Sequence, residues 1–259
     1  MSARGARART MAEDPVWQRL EFGSYSADLP LWEELAAGAG STAAEHGPVL
    51  ELGAGAGRVA LHLARRGHAV VAVERSSELA GELERRAEEN DLPVEVLRAD
   101  LERFDGAGLP RPVGAAVAPL HVIQQLEPGG RRSLLGALAR VLPSGARLGV
   151  TVVDDASLLS GRIEADPIPE MRDLEGWVYS SEPLWVQAEE AEIRVRRLRN
   201  RVGPDGALER AVHDEVLHRL PPERLEAEAA VAGLAALERR QLATGRSEAG
   251  SIAVILGSS

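Results

Sequence analysis

Val49-Leu50-Glu51-Leu52-Gly53-Ala54-Gly55-Ala56-Gly57-Arg58 opens the stretch that decides the fold. Val59-Ala60-Leu61-His62-Leu63-Ala64-Arg65-Arg66-Gly67 follows, and His68-Ala69-Val70-Val71-Ala72-Val73-Glu74 closes it. In physical terms it is a buried strand, a glycine-rich turn, an amphipathic helix, a second buried strand and a terminal carboxylate. Gly53, Gly55 and Gly57 leave no Cβ between the main chain and whatever occupies the turn, so a ligand can come close. The helix offers Val59, Leu61, Leu63 and Ala64 to a sheet and Arg65 and Arg66 to water, and Gly67 stops it. Glu74, seventeen positions after Gly57, stands where a second parallel strand delivers an acceptor for ribose hydroxyls. The stretch is a nucleotide-type site.

Two readings fit its glycines. Gly55-Ala56-Gly57-Arg58-Val59-Ala60 satisfies the dinucleotide pattern G-x-G-x-x-A, with Glu74 as its acidic partner. Glu51-Leu52-Gly53-Ala54-Gly55-Ala56-Gly57 satisfies E-x-G-x-G-x-G, and on this motif the chain resembles class I S-adenosylmethionine (SAM) methyltransferases. In the dinucleotide reading Glu51 is a buried charge with no function, which is costly. In the SAM reading the resemblance puts it beside the ammonium and sulfonium of a cationic ligand. Glu51 therefore favours SAM over a nicotinamide cofactor.

Composition narrows the chemistry. The chain has 259 residues, enough for one large α/β domain, and a net charge of −10 carried against arginine alone, since no lysine occurs. An acidic balance argues against nonspecific nucleic-acid binding, which depends on neutralising phosphates. Cysteine is absent, which excludes disulfides, thiolate metal sites and a cysteine nucleophile. No apolar run reaches the ~20 residues of a membrane span. Met1–Thr10 lacks the apolar core of a secretory signal and reads as a disordered leader, with Met11 an alternative start. A cytoplasmic enzyme is the expectation.

Outward from the opening stretch the chain alternates strand and helix, the signature of a doubly wound parallel sheet. Strands are expected at Val49–Leu52, Ala69–Val73, Val94–Leu97, Ala115–Pro119 and Arg147–Val153, with helices at Ser77–Asn90 and Arg131–Leu142. Gly161–Arg172 reads as irregular and acidic. Trp177–Gln187 and Glu192–Val202 read as strands, Gly203-Pro204-Asp205-Gly206 as a turn and Leu208–Leu220 as the returning strand. A helix from Pro221-Pro222 through Ala236 and strands Leu237–Ala243 and Ser251–Leu256 close the chain. Residues 1–45 are read as leader and helical lid, and 46–259 as the SAM-binding domain with 161–220 inserted as a β cap. The order resembles the Rossmann-like seven-stranded methyltransferase sheet, which implies strand order 3-2-1-4-5-7-6 with the last strand antiparallel.

The resemblance also assigns roles. Glu51, Gly53, Gly55 and Gly57 would cradle the methionine end of SAM, Glu74 would hold the ribose, and Ala54 and Arg75 are the neighbouring cofactor-binding candidates. Asp100 and Leu101, after the third strand, would hold the adenine; a plainer reading makes Asp100 a cap for Leu101–Phe104. Pro119 ends the fourth strand beside the transferable methyl. The run Val117-Ala118-Pro119-Leu120-His121 resembles small-molecule members and lacks the Asn/Asp-Pro-Pro-Tyr run of amino-directed nucleic-acid enzymes.

His121 is the first candidate for a polar group facing the acceptor, with a helix-start histidine packed on the cofactor as the alternative. His213-Asp214 could touch the substrate, although an exposed sheet face explains both more simply. His213 and His218 fall on opposite faces of one strand, so no metal pair forms. The aromatic residues number four Trp, two Tyr and two Phe, and only Phe104 lies within the strand–helix core. The rest suggest a cap over the cleft, or that cap's own small core, with Tyr25 and Tyr179 as the candidates to face the active site. The Arg194, Arg196, Arg197, Arg199 and Arg201 run reads as a solvated strand face.

The expected activity is methyl transfer from SAM to a nitrogen or oxygen of a small molecule. A protein of the same fold that binds SAM without transferring is the alternative, and an NAD(P) oxidoreductase a weaker one.

Overall fold

The computed structural model describes residues 15–38, 47–109, 112–154, 162–164, 169–174, 176–242 and 250–258. The leader Met1–Thr10 and most of the glycine joint at 37–41 lie outside them. Short runs that are almost wholly apolar, interrupted only by Glu51 and Glu74, cannot face water on either side, and they form the middle of a parallel sheet here. These are β1 (Val49–Leu52), β2 (Val70–Glu74) and β4 (Ala115–Ala118), each buried throughout. β3 (Val94–Arg98) lies outside β2, β5 (Arg147–Val153) beyond β4, and β11 (Leu234–Leu242) and β12 (Ser251–Ser258) complete seven strands. Their spatial order is β11-β12-β5-β4-β1-β2-β3, and β12 runs antiparallel to both its neighbours. That is the 3-2-1-4-5-7-6 order expected from the resemblance.

Alternate residues of the sheet feed two apolar layers. Leu50, Leu52, Val71 and Val73 pack with α5 (Pro128–Val141) and α6 (Pro222–Ala232). Val49, Val70 and Ala72 pack with α2 (Leu29–Gly38), α3 (Arg58–Arg65) and α4 (Ser77–Glu89). β11 is a sheet edge and is blunted by charge, with Arg239 on Glu223 and Glu226 and Arg240 on Glu34 and Glu238. α6 ends at Ala232 rather than at Ala236, because Gly233 takes a left-handed conformation (φ 93°) and turns the chain straight into β11.

A second, antiparallel sheet stands at the carboxyl end of the first. It consists of β8 (Trp177–Ala188), β9 (Glu192–Val202) and β10 (Leu208–His218), with the short strands β6 (Ile163–Glu164) and β7 (Glu170–Leu174) paired to β8. The expectation of irregular chain over Gly161–Arg172 is corrected by these two strands, since pairing with β8 overrides their weak local preference. Val186, Ile193 and Leu217 join the second sheet to Val153 at the end of β5. The amino-terminal helix α1 (Pro15–Phe22) bridges both sheets: Trp17 and Leu20 pack with Tyr179, and Arg19 reaches Glu82 on α4.

Candidate active site

The main sheet reverses its order between β1 and β4, and open α/β sheets bind ligands at the carboxyl ends of the strands flanking such a point. The glycine turn leaves β1 here. Ala54 N donates to Val73 O at 3.0 Å and Gly57 N to Ala54 O at 2.9 Å, so the turn is strapped to β2 and to itself. Glu74 completes it: Oε2 accepts from Gly55 N and Oε1 from Ser76 N, both at 2.8 Å.

The three glycines serve packing more than open approach. A Cβ on Gly53 would lie 2.3 Å from the Val122 side chain, and one on Gly57 2.2 Å from Leu83. At Gly55 it would meet Gln18 of α1, whose Oε1 accepts from Ala56 N at 2.5 Å. All three adopt positive φ, where an L side chain is disfavoured in any case.

Glu51 is 2% exposed on β1, and its Oε2 is buried with no hydrogen-bond partner among the described residues. Burial pushes its pKa up to about 8, against the opposing pull of Arg58. Arg58 itself is clamped by Asp28 through two 2.6 Å bonds. A buried carboxylate that lacks a partner is expensive unless a cation meets it, so this orphan oxygen fits the ammonium of SAM's methionine end.

A cavity of about 820 Å³ opens over these groups. Its floor is the glycine turn with Glu51, Glu74 and Arg75, and one side carries Asp100 and Leu101. Asp100 both lines the cavity and caps the turn that follows, its Oδ1 accepting from Glu102 N at 3.0 Å. Pro119, Leu120 and Val122 form a further wall, α1 contributes Gln18 and Glu21, and β9 and β10 contribute Arg197, Arg199 and His213.

The structure brings only part of the expected acceptor site together. Tyr25 lines the cavity, with the Arg58 guanidinium 5.3 Å above its ring. Tyr179 does not line it: the ring packs edge-on against Trp17 at 5.3 Å, in the apolar contact between α1 and the second sheet. His121 is also turned away. Its Nε2 is 2.7 Å from Ser251 Oγ on β12, its backbone N donates to Thr151 Oγ1 at 3.1 Å, and burial lowers its pKa to about 4. Leu120 and His121 have φ of 50° and 60°, a left-handed pair that directs the His121 ring into the sheet instead of the cavity. His121 thus fixes the Pro119–Leu120 wall and lies outside the cavity lining.

The arginine run is not uniformly solvated. Arg197 and Arg199 are each 4% exposed, since alternate residues of β9 face α1. Arg199 makes bonds of 2.7 and 2.6 Å to Glu21, while Arg197 reaches Ser181 and Glu170 at 3.1 and 3.0 Å. Trp32 likewise belongs to the core of the main sheet rather than to a cap, its indole N donating to Asp28 at 2.8 Å. Sequence reasoning missed Gln18, Glu21, Thr151 and Ser251. Each acts through a contact distant in sequence, and no local pattern marks any of them.

Among the described residues, no group of histidine, aspartate and glutamate has the geometry of a metal site, and no helix is long and apolar enough to cross a membrane. Residues 49–145 match a family model described as a methyltransferase domain. No curated protein matches the chain. Among solved structures, the CcbJ methyltransferase from Streptomyces caelestis superposes with TM-score 0.69 at 17% identity, over 95% of this chain and 97% of that one. CalS10, an amino pentose methyltransferase from Micromonospora echinaspora solved with SAM bound, gives 0.67 at 16% identity, over 94% and 95%. The sugar N-methyltransferase KedS8 from a Streptoalloteichus species gives 0.63 at 18%, over 98% and 96%. At such identities the likeness speaks for the fold.

Proposed function

Because the chain carries a class I, SAM-dependent methyltransferase domain, we propose that it transfers the methyl group of SAM to a small-molecule acceptor, at an amine nitrogen in preference to an oxygen. The observation that carries the reading is Glu51, a buried carboxylate with an orphan oxygen at the floor of a cavity large enough for two ligands. Solved relatives of the same fold named for amino pentose and sugar nitrogen methylation support the choice of nitrogen and of a polar, sugar-sized acceptor.

When bound, SAM supplies an electrophilic methyl on a sulfonium, so the protein's part is to align the acceptor and keep water out. Glu51 would meet the ligand's ammonium, the glycine turn would pack against its methionine end, Glu74 would meet the ribose hydroxyls, and Asp100 with the Leu101 amide the adenine. Tyr25, Pro119 and Leu120 would line the approach of the acceptor. The experiment is calorimetry with SAM and S-adenosylhomocysteine, followed by a radiolabelled-methyl screen over amino sugars, simple amines and phenols. Binding of NADH in preference to SAM overturns the reading. Tight SAM binding with no transfer to any acceptor favours the alternative of a non-catalytic binding protein.

A further inference from the structure

The wall that β9 and β10 give to the cavity carries Arg197, Arg199, His213, Asp214 and Glu215. Four of these are engaged. Arg199 is held by Glu21, Arg197 by Ser181 and Glu170, and Asp214 takes two 2.5 Å bonds from Arg196. Glu215 accepts from Gln125 Nε2 at 3.2 Å. The other histidine of the lining, His62, is taken up by Glu33 at 2.6 Å. The His213 side chain has no hydrogen bond with a described residue, and it is partly buried against the cavity.

Its surroundings set its protonation state. Burial first, then the positive charges of Arg199 and Arg197 on β9, hold its pKa below the ordinary histidine value. Glu21 on α1 and the adjacent Asp214 pull the other way, but both are neutralised by arginines. The ring is therefore a neutral imidazole at neutral pH, the form that can accept a proton.

We propose that His213 is a catalytic base that takes the proton from the ammonium of a primary or secondary amine acceptor before methyl transfer. The inference rests on the nitrogen-methylation reading above. An ammonium has no lone pair and cannot attack carbon. The N–H bond breaks toward a ring nitrogen of His213 and the electron pair stays on the acceptor nitrogen, where it forms the new N–C bond. SAM, the methyl donor, is the co-reactant, and its C–S bond breaks with the pair going to sulfur. The imidazolium passes its proton to solvent through the cavity mouth. A hydroxyl acceptor would need a stronger base beside it, so an imidazole with a lowered pKa suits an amine better.

The test compares glucosamine and benzylamine, both largely protonated near neutral pH, with aniline, which is neutral there. His213→Gln and His213→Asn should each lose roughly 10²- to 10³-fold in kcat/KM on glucosamine and benzylamine, the scale of general-base catalysis. Aniline turnover and S-adenosylhomocysteine affinity should change by less than about threefold, since neither requires deprotonation of an ammonium. A second readout needs no turnover: in the wild-type complex with S-adenosylhomocysteine, benzylamine should lower further the pH at which the His213 ring resonances titrate, because its ammonium donates to the neutral ring, and aniline should not. Equal losses on aniline and benzylamine, or a His213 resonance that ignores benzylamine, overturn the proposal. Binding of S-adenosylhomocysteine with no methylation of any amine by the wild type overturns the nitrogen reading itself, and this proposal with it.

Discussion

Glu74 Oε2 accepts a hydrogen bond from Gly55 N at 2.8 Å, across the gap between β2 and the glycine turn that follows β1. Its other oxygen holds Ser76 N. The carboxylate is thus a clamp on the turn as well as an acceptor with lone pairs left for ribose hydroxyls. Glu74→Gln turns an NH₂ toward one of these amides, and Glu74→Ala removes both bonds. Each should lower Tm, and each should weaken SAM by roughly 1–3 kcal/mol if the ribose contact exists. Calorimetry decides: a lower Tm with unchanged SAM affinity limits Glu74 to the clamp.

Glu51 ties cofactor binding to proton release. With a pKa of about 8 in the free protein against 4.5 for an ordinary glutamate, it is protonated when folded and ionised when unfolded between those values. Its contribution to stability therefore falls as pH rises from 4.5 to 8. Binding of a cationic ligand should ionise it, so SAM titrations at pH 7 in phosphate and in Tris should differ in heat by up to about one proton's worth, and the difference should halve near pH 8. Glu51→Gln should abolish the difference. Buffer-independent heats in the wild type would remove Glu51 from the ligand's ammonium.

His121 predicts an effect of opposite sign. Its pKa is lowered to about 4, so the unfolded chain binds a proton that the folded one refuses as pH drops below 6.5. Stability from this residue is complete above pH 6.5 and is lost toward pH 4, by at most on the order of 3 kcal/mol. Asparagine tolerates the left-handed backbone, so His121→Asn should fold and flatten the acid limb of Tm against pH. A limb identical to wild type would mean that His121 does not carry it.

Glu21 and Arg199 pin α1 to the second sheet. Both are buried, at 3% and 4% exposed, and removing Glu21 takes away the carboxylate that Arg199 and Arg197 both face. Glu21→Ala should cost about 3–5 kcal/mol in denaturant unfolding, whereas Glu21→Met with Arg199→Met should cost much less. Equal costs for the single and double variants would show that the pair is not the pin.

The main sheet was legible because its signals are local. Val49–Leu52 and Arg147–Val153 have the observed boundaries, since a mostly apolar run set off by a turn rich in glycine and proline has few other ways to be buried. The floor of the cavity was legible for a related reason: Glu51, the glycines and Glu74 sit at spacings that one β–α–β unit brings to a single crevice. Glu74's hold on Gly55 lay beyond that reach, being a matter of side-chain direction.

The acceptor side was not legible. Tyr25 and Tyr179 have the same chemistry and similar neighbours, and only packing sends one to the cavity and the other against Trp17. His121 follows a strand that ends at the cavity, yet two left-handed residues swing its ring to Ser251, 130 positions away. Arg199 meets Glu21 across 178 positions, and His213 faces the cavity because α1, β9 and β10 meet there. By itself, the sequence determined the sheet, the turn and the methyl donor, because periodicity and short-range spacing encode them. The tertiary structure alone decided which polar groups line the rest of the cavity, because that choice rests on pairings between segments that share no local pattern.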